Sequence, residues 1–117
     1  MVDSMKYLST MIRLKRLDSV KRELQRIEIN RLIVSSVSGY DVQGGHLETK
    51  AMNYEAKLPK KIKIEIAVND DFLQTTVEAI QRGSRNKDGY VGSGKIFVLP
   101  LENVIKIRTN ETGHDAI

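Results

Sequence analysis

DGYVGSGKIFVLP, residues 88–100, carries Gly89, Gly94 and Lys95 at the spacing of a phosphate-cradling loop, Gly-x4-Gly-Lys. In a P-loop fold the lysine is followed by Ser or Thr, whose hydroxyl binds Mg²⁺, and the chain then enters a helix whose N-terminus receives the anion. Here Lys95 is followed by Ile96, Phe97, Val98 and Leu99, an apolar, β-prone run. The stretch therefore predicts a glycine-rich turn into a strand. It is a candidate phosphate grip, but of an architecture other than the P-loop.

Working outward, the rest of the chain supplies partners for that strand. Lys61–Val68 alternates, with Ile62, Ile64, Ile66 and Val68 on one face and Lys63 and Glu65 on the other. Met5–Ile12 and Leu32–Gly39 read as two further strands, and Val104–Thr109 as a short final one. Leu17, Val20, Leu24 and Ile27 recur at helical spacing, with Asp18 as candidate N-cap. A second helix carries Leu73, Val77 and Ile80 behind Asp70 or Asp71 as cap. The order β-α-β-β-α-β predicts an α+β, ferredoxin-like sandwich, with both helices on one face of an antiparallel sheet. The other face needs cover or water. Two polar, glycine-containing segments, about 40–60 between strands two and three and about 81–95 before strand four, are read as loops. Loops beyond ~12–15 residues are uncommon in compact domains unless they carry function or are disordered.

With 117 residues the chain predicts one domain, 1–117, whose core is thin enough that oligomerisation helps it. The absence of cysteine excludes disulfides, thiolate nucleophiles and cysteine metal sites and fits a reducing compartment. His46 and His114 are too few for a histidine metal site. The opening MVDSMKYLST lacks the apolar run of a signal peptide, and no stretch approaches the ~20 apolar residues of a membrane span, so the expected location is the cytoplasm.

A net charge of +4 does not by itself name a ligand; placement has to. Lys106 and Arg108, two apart in the expected last strand, share a face, with Ile105 and Ile107 on the other. Strand four leads directly into this segment, which puts Lys95 within reach. Three cations then converge with the backbone N–H groups of Gly92–Gly94, where glycine lets phosphate approach the main chain. Such a cluster suits a polyphosphate, at roughly 1.5–3 kcal/mol for each charge-assisted hydrogen bond. The plainer reading of Lys106 and Arg108 is a solvated strand face.

At these residues the chain resembles a known family. VGSGKIFVLPLENVIKIRTNETGHDAI is similar to the end of the PII signal-transduction proteins, the nitrogen regulatory P-II family. MKYLSTMIRLKRLDSVKREL resembles the family's first strand and helix, LPKKIKIEIAVNDD its third strand, and GYDVQGGH the start of its long loop. The likeness runs from Met5 onward. It implies a homotrimer of ferredoxin-like subunits that bind ATP or ADP in the clefts between them, with Mg²⁺ and 2-oxoglutarate beside the nucleotide. It implies that Gly92, Ser93, Gly94 and Lys95 hold phosphate, joined by Lys106 and Arg108 from the adjacent subunit. Gly39, Ile64 and Glu65 fall where the family meets the nucleoside. Gln43 matches the residue that ligates Mg²⁺. Gln43, Gly45 and Lys61 match the 2-oxoglutarate contacts, Lys60 being the alternative to Lys61. Tyr54 aligns with a loop tyrosine that some members carry uridylylated.

The implied function is a switch and not an enzyme. Ligand alters segment 40–60, which docks onto nitrogen-metabolism enzymes or an ammonium transporter, and membrane association is at most peripheral, through that transporter. The chain departs from the pattern where Asp41-Val42 replaces Gly-Arg and Lys106 replaces an arginine, keeping charge but losing the bidentate fork. The segment before Gly92 is also longer. These departures set up the alternative, a PII-like adenylate or bicarbonate sensor acting on a transporter or carbon-metabolism enzyme. A nucleic-acid module is disfavoured, because Lys61–Val68 holds no aromatic on which bases stack and aromatics total 5%.

Overall fold

The computed structural model describes residues 4–38, 60–85 and 94–117. Its elements are β1 (Met5–Arg13), α1 (Leu17–Arg26), β2 (Ile33–Ser38), β3 (Lys60–Asn69), α2 (Leu73–Ser84) and β4 (Ile96–Leu101). The order is β-α-β-β-α-β, and the four strands form one antiparallel sheet in the order β2-β3-β1-β4. The α+β, ferredoxin-like expectation holds.

The register follows from the apolar alternation. β3 pairs with β1 from Met5↔Asn69 to Arg13↔Lys61, which sets Leu8 opposite Ile66 and Ile12 opposite Ile62. These residues, with Ile64 and Val68, are buried beneath Val20 and Leu24 of α1 and Ala79 and Ile80 of α2. Burying each such side chain contributes roughly 1.5–3 kcal/mol, so a one-residue slip of β3 would forfeit the whole row.

The helices pack backbone to backbone at one point. A Cβ built on Gly83 of α2 would lie 2.5 Å from Cα of Val20. Beyond Arg26, α1 is closed by Glu28, whose φ is 64°, with Ile29 N–H donating to the Leu24 carbonyl at 2.9 Å, a Schellman-type closure.

Several boundaries differ from the sequence expectation. Asp18 does not cap α1: a 3₁₀ turn, Leu14–Arg16, feeds the helix and leaves Asp18 in its first turn. Asp70 and Asp71 likewise lie in a 3₁₀ turn, Asp70–Phe72, and the Asp70 carboxylate meets Lys6 Nζ at 2.9 Å instead of capping α2. The expected loop 81–95 begins later, because α2 continues to Ser84. That last turn is held by Ser84 Oγ donating to the Ile80 carbonyl at 2.7 Å and by Arg16, whose Nε donates to the Gly83 carbonyl at 3.3 Å.

The expected strand Val104–Thr109 is not formed. Among the described residues Ile105 makes only an isolated bridge to Thr112, and the chain reverses between them. Lys106 N–H donates to the Glu111 carbonyl and Asn110 N–H to the Lys106 carbonyl, both at 2.8 Å, with Asn110 at φ 62°. Asn tolerates this left-handed conformation, which turns an alternating stretch into a tight reversal.

Candidate functional site

Both undescribed internal segments begin and end in positions that converge. Segment 39–59 joins the end of β2 to the start of β3, and 86–93 joins the end of α2 to the start of β4. By register the end of β2, the start of β3, the end of β1 and the start of β4 all lie at one end of the sheet. Arg13, Lys60, Lys61, Lys63 and Lys95 occupy that end. The only ion pair among them in the described residues is a long one, Lys63 Nζ to Glu65 Oε2 at 4.0 Å. An end so rich in cations suits a ligand with several negative charges.

Lys95 is exposed and stands just before β4, while Gly94 beside it is exposed and has no side chain to block the main chain. The Lys95 carbonyl accepts a hydrogen bond from Thr10 Oγ1 at 2.7 Å. Apolar periodicity alone does not single out Thr10. The signal was there, a single hydroxyl in the apolar series Leu8-Thr10-Ile12.

Lys61 and Glu65 lie on the sheet face away from the helices, and both are half-buried. The Glu65 carboxylate accepts a hydrogen bond from Tyr7 Oη. That bond, chiefly, with burial and the carboxylate charge, pushes the Tyr7 phenol up to about 12. Ile64 is 1% exposed, its side chain in the core beneath the helices.

Lys106 and Arg108 sit on the arm that follows β4. Lys106 Nζ is 3.7 Å from Glu111 Oε1, and Arg108 is exposed on the turn. Their expected common strand face does not exist within the chain, because that strand is absent. β4 also carries the chain from the Lys95 end of the sheet to the Met5 end, roughly 17 Å at ~3.3 Å per residue. No hydrogen bond or ion pair among the described residues joins the arm to Lys95. Gly39, Gln43, Gly45, Tyr54, Gly89, Gly92 and Ser93 lie outside the described residues. Among the described residues no group of three or more His, Asp or Glu gathers to hold a metal, and no helix is long and apolar enough to cross a membrane.

Comparison with known proteins agrees across almost the whole chain. The family pattern described as Nitrogen regulatory protein P-II matches residues 5–111. Nitrogen regulatory protein GlnK1 of Methanosarcina mazei is 68% identical over 115 residues, covering 97% of this chain and 98% of that protein. Nitrogen regulatory protein P-II of Cereibacter sphaeroides is 40% identical over 114 residues, covering 97% and 100%. Among solved structures, Arabidopsis thaliana PII bound to citrate superposes with a TM-score of 0.78 at 32% identity, covering 97% of this chain and 92% of that one.

Proposed function

The chain belongs to the nitrogen regulatory protein P-II family, whose members signal and do not catalyse, and from that premise we propose that it is an adenylate-operated switch. ATP or ADP binds at the clefts of a homotrimer. Gly92, Ser93, Gly94 and Lys95 of one chain hold the phosphates together with Lys106 and Arg108 of a neighbouring chain. Gly39, Ile64 and Glu65 adjoin the nucleoside, Ile64 through its main chain. Gln43 and phosphate oxygens hold Mg²⁺, which supplies neutralising charge. Gln43, Gly45 and Lys61 receive 2-oxoglutarate. Segment 40–60, with Tyr54 as its candidate modification site, addresses a nitrogen-metabolism enzyme or an ammonium transporter from the cytoplasm.

The observation that carries this reading is the cationic sheet end from which both loop segments depart. A polyphosphate seated there lies at the roots of 39–59 and 86–93 together, so its charge acts where the signalling segment is tethered. A ligand shifts a conformational balance only by its differential affinity for the states. The γ-phosphate, present in ATP and missing from ADP, is the natural discriminator. The two-chain composition of the site is supported by β4, which takes the arm away from its own Lys95. Trimer assembly is supported by the sheet face away from the helices, where Phe97, Leu99, Met11 and Ile33 are exposed, and by Ile107 on the arm, 95% exposed. Apolar surface of this kind is expected to be covered by a partner.

The test is a calorimetric panel of ATP, ADP and AMP, each with and without Mg²⁺ and 2-oxoglutarate. Expected is adenylate binding at one site per chain, and 2-oxoglutarate uptake only when Mg²⁺ and ATP are both present. Absence of any adenylate binding at millimolar nucleotide overturns the reading. Adenylate binding with no 2-oxoglutarate uptake removes the 2-oxoglutarate part and leaves the rest.

A further inference from the structure

We infer that Thr10 is a positioning residue for Lys95, fixing the strand-side end of the phosphate grip; the inference rests on the nucleotide reading above. Thr10 lies in the core-facing row of β1 between Leu8 and Ile12, opposite Ile64 of β3, and is 3% exposed. Burying a hydroxyl in an apolar row is unfavourable unless it is hydrogen-bonded, and Val has nearly the same shape at no such cost. Packing therefore does not explain a threonine here, and its bond does.

That bond goes to a particular place. The β1–β4 ladder ends at Thr10↔Ile96, so Lys95 is the first residue beyond it. Thr10 Oγ1 donates to the Lys95 carbonyl at 2.7 Å and extends the anchorage one residue past the ladder, next to Gly94. Holding this carbonyl fixes the Lys95–Ile96 peptide plane and with it the place of the Lys95 Cα, the point from which Gly94 and the Lys95 side chain leave the sheet. Among the described residues the other buried threonine, Thr76, bonds within its own helical turn, to the Phe72 carbonyl. Thr10 instead ties together residues 85 positions apart. It acts on the ligand only through Lys95.

The experiment compares the wild-type chain with Thr10→Val and Thr10→Ser by ATP calorimetry and thermal unfolding. Val keeps the shape and loses the hydroxyl; Ser keeps the hydroxyl and loses a methyl. Expected is ATP affinity weakened roughly fivefold in Thr10→Val, the equivalent of one ordinary hydrogen bond, and near wild type in Thr10→Ser. A packing role gives the reverse order. Thr10→Ala, which also removes the hydroxyl, serves as second variant, and the same loss is expected of it. Wild-type affinity in both Thr10→Val and Thr10→Ala overturns this inference and leaves the nucleotide site standing. A wild-type chain that binds no ATP overturns both.

Discussion

At Lys95 an exposed ammonium, the proposed phosphate contact, stands on a residue whose carbonyl is held from beneath by Thr10. Truncating the ammonium tests that contact without disturbing the carbonyl. Lys95→Ala is expected to weaken ATP by more than about tenfold in calorimetry, with stability within ~0.5 kcal/mol of wild type because the side chain is exposed. Unchanged affinity would remove the lysine from the site. The lysine and its glycines were legible in the sequence, because a cation after a Gly-x-Gly turn advertises its chemistry. Thr10 was not, because a hydroxyl in a strand takes its meaning from what lies across the sheet. Tyr7 belongs to the same class. Its phenol donates to Glu65 and ionises at about 12 in the folded chain against 10 ordinarily. The folded state thus holds this proton more tightly, so the contribution is full below pH 10 and is lost as pH rises through 12. Tyr7→Phe is expected to flatten the decline of stability across that window in denaturant titrations at stepped pH. Identical slopes for the two proteins would show that Glu65 does not hold the phenol.

For the elements, apolar spacing sufficed to predict β1, β3 and both helices, since a period of two or of 3.6 residues is a property of local sequence. The ends were another matter. Asp18, Asp70 and Asp71 have the chemistry of caps, yet 3₁₀ turns precede both helices and displace them. The last turn of α2 was hidden because Gly83 looks like a helix terminator, whereas its function is close approach to Val20. Gly83→Ala weighs two effects against each other. Helix propensity gains about 1 kcal/mol. Against it, the new Cβ meets Val20 Cα at 2.5 Å and Val20 N at 2.8 Å, backbone that cannot step aside, and overpacking costs about 1–3 kcal/mol. The clash is expected to win, with a net loss of up to about 2 kcal/mol in chemical denaturation. A more stable variant would mean that the helices separate at little cost. The pair Glu23–Arg82 at 3.0 Å also joins α1 to α2, and the arginine, chiefly by its hydrogen bond, holds the Glu23 carboxyl below its ordinary value. That contribution is present at neutral pH and is lost on acidification, but so exposed a pair adds little.

In the whole molecule, the helices cover one face of the sheet and leave the other with Phe97 at 53% exposure beside Leu99. Under the proposed assembly Phe97→Lys is expected to shift sedimentation from trimer toward monomer and to weaken ATP, since each site draws on two chains. A wild-type protein that sediments as a monomer would end that proposal. By itself the sequence determined the order of elements, the family and the place of a lysine directly after Gly94, because periodicity, motif spacing and charge are written in consecutive residues. Only the tertiary structure decided that Val104–Thr109 turns back on itself, that β4 takes Lys106 and Arg108 away from their own Lys95, and that Thr10 fastens the Lys95 carbonyl. These depend on which strands pair and in what register, and residues 85 positions apart become neighbours only when the sheet closes.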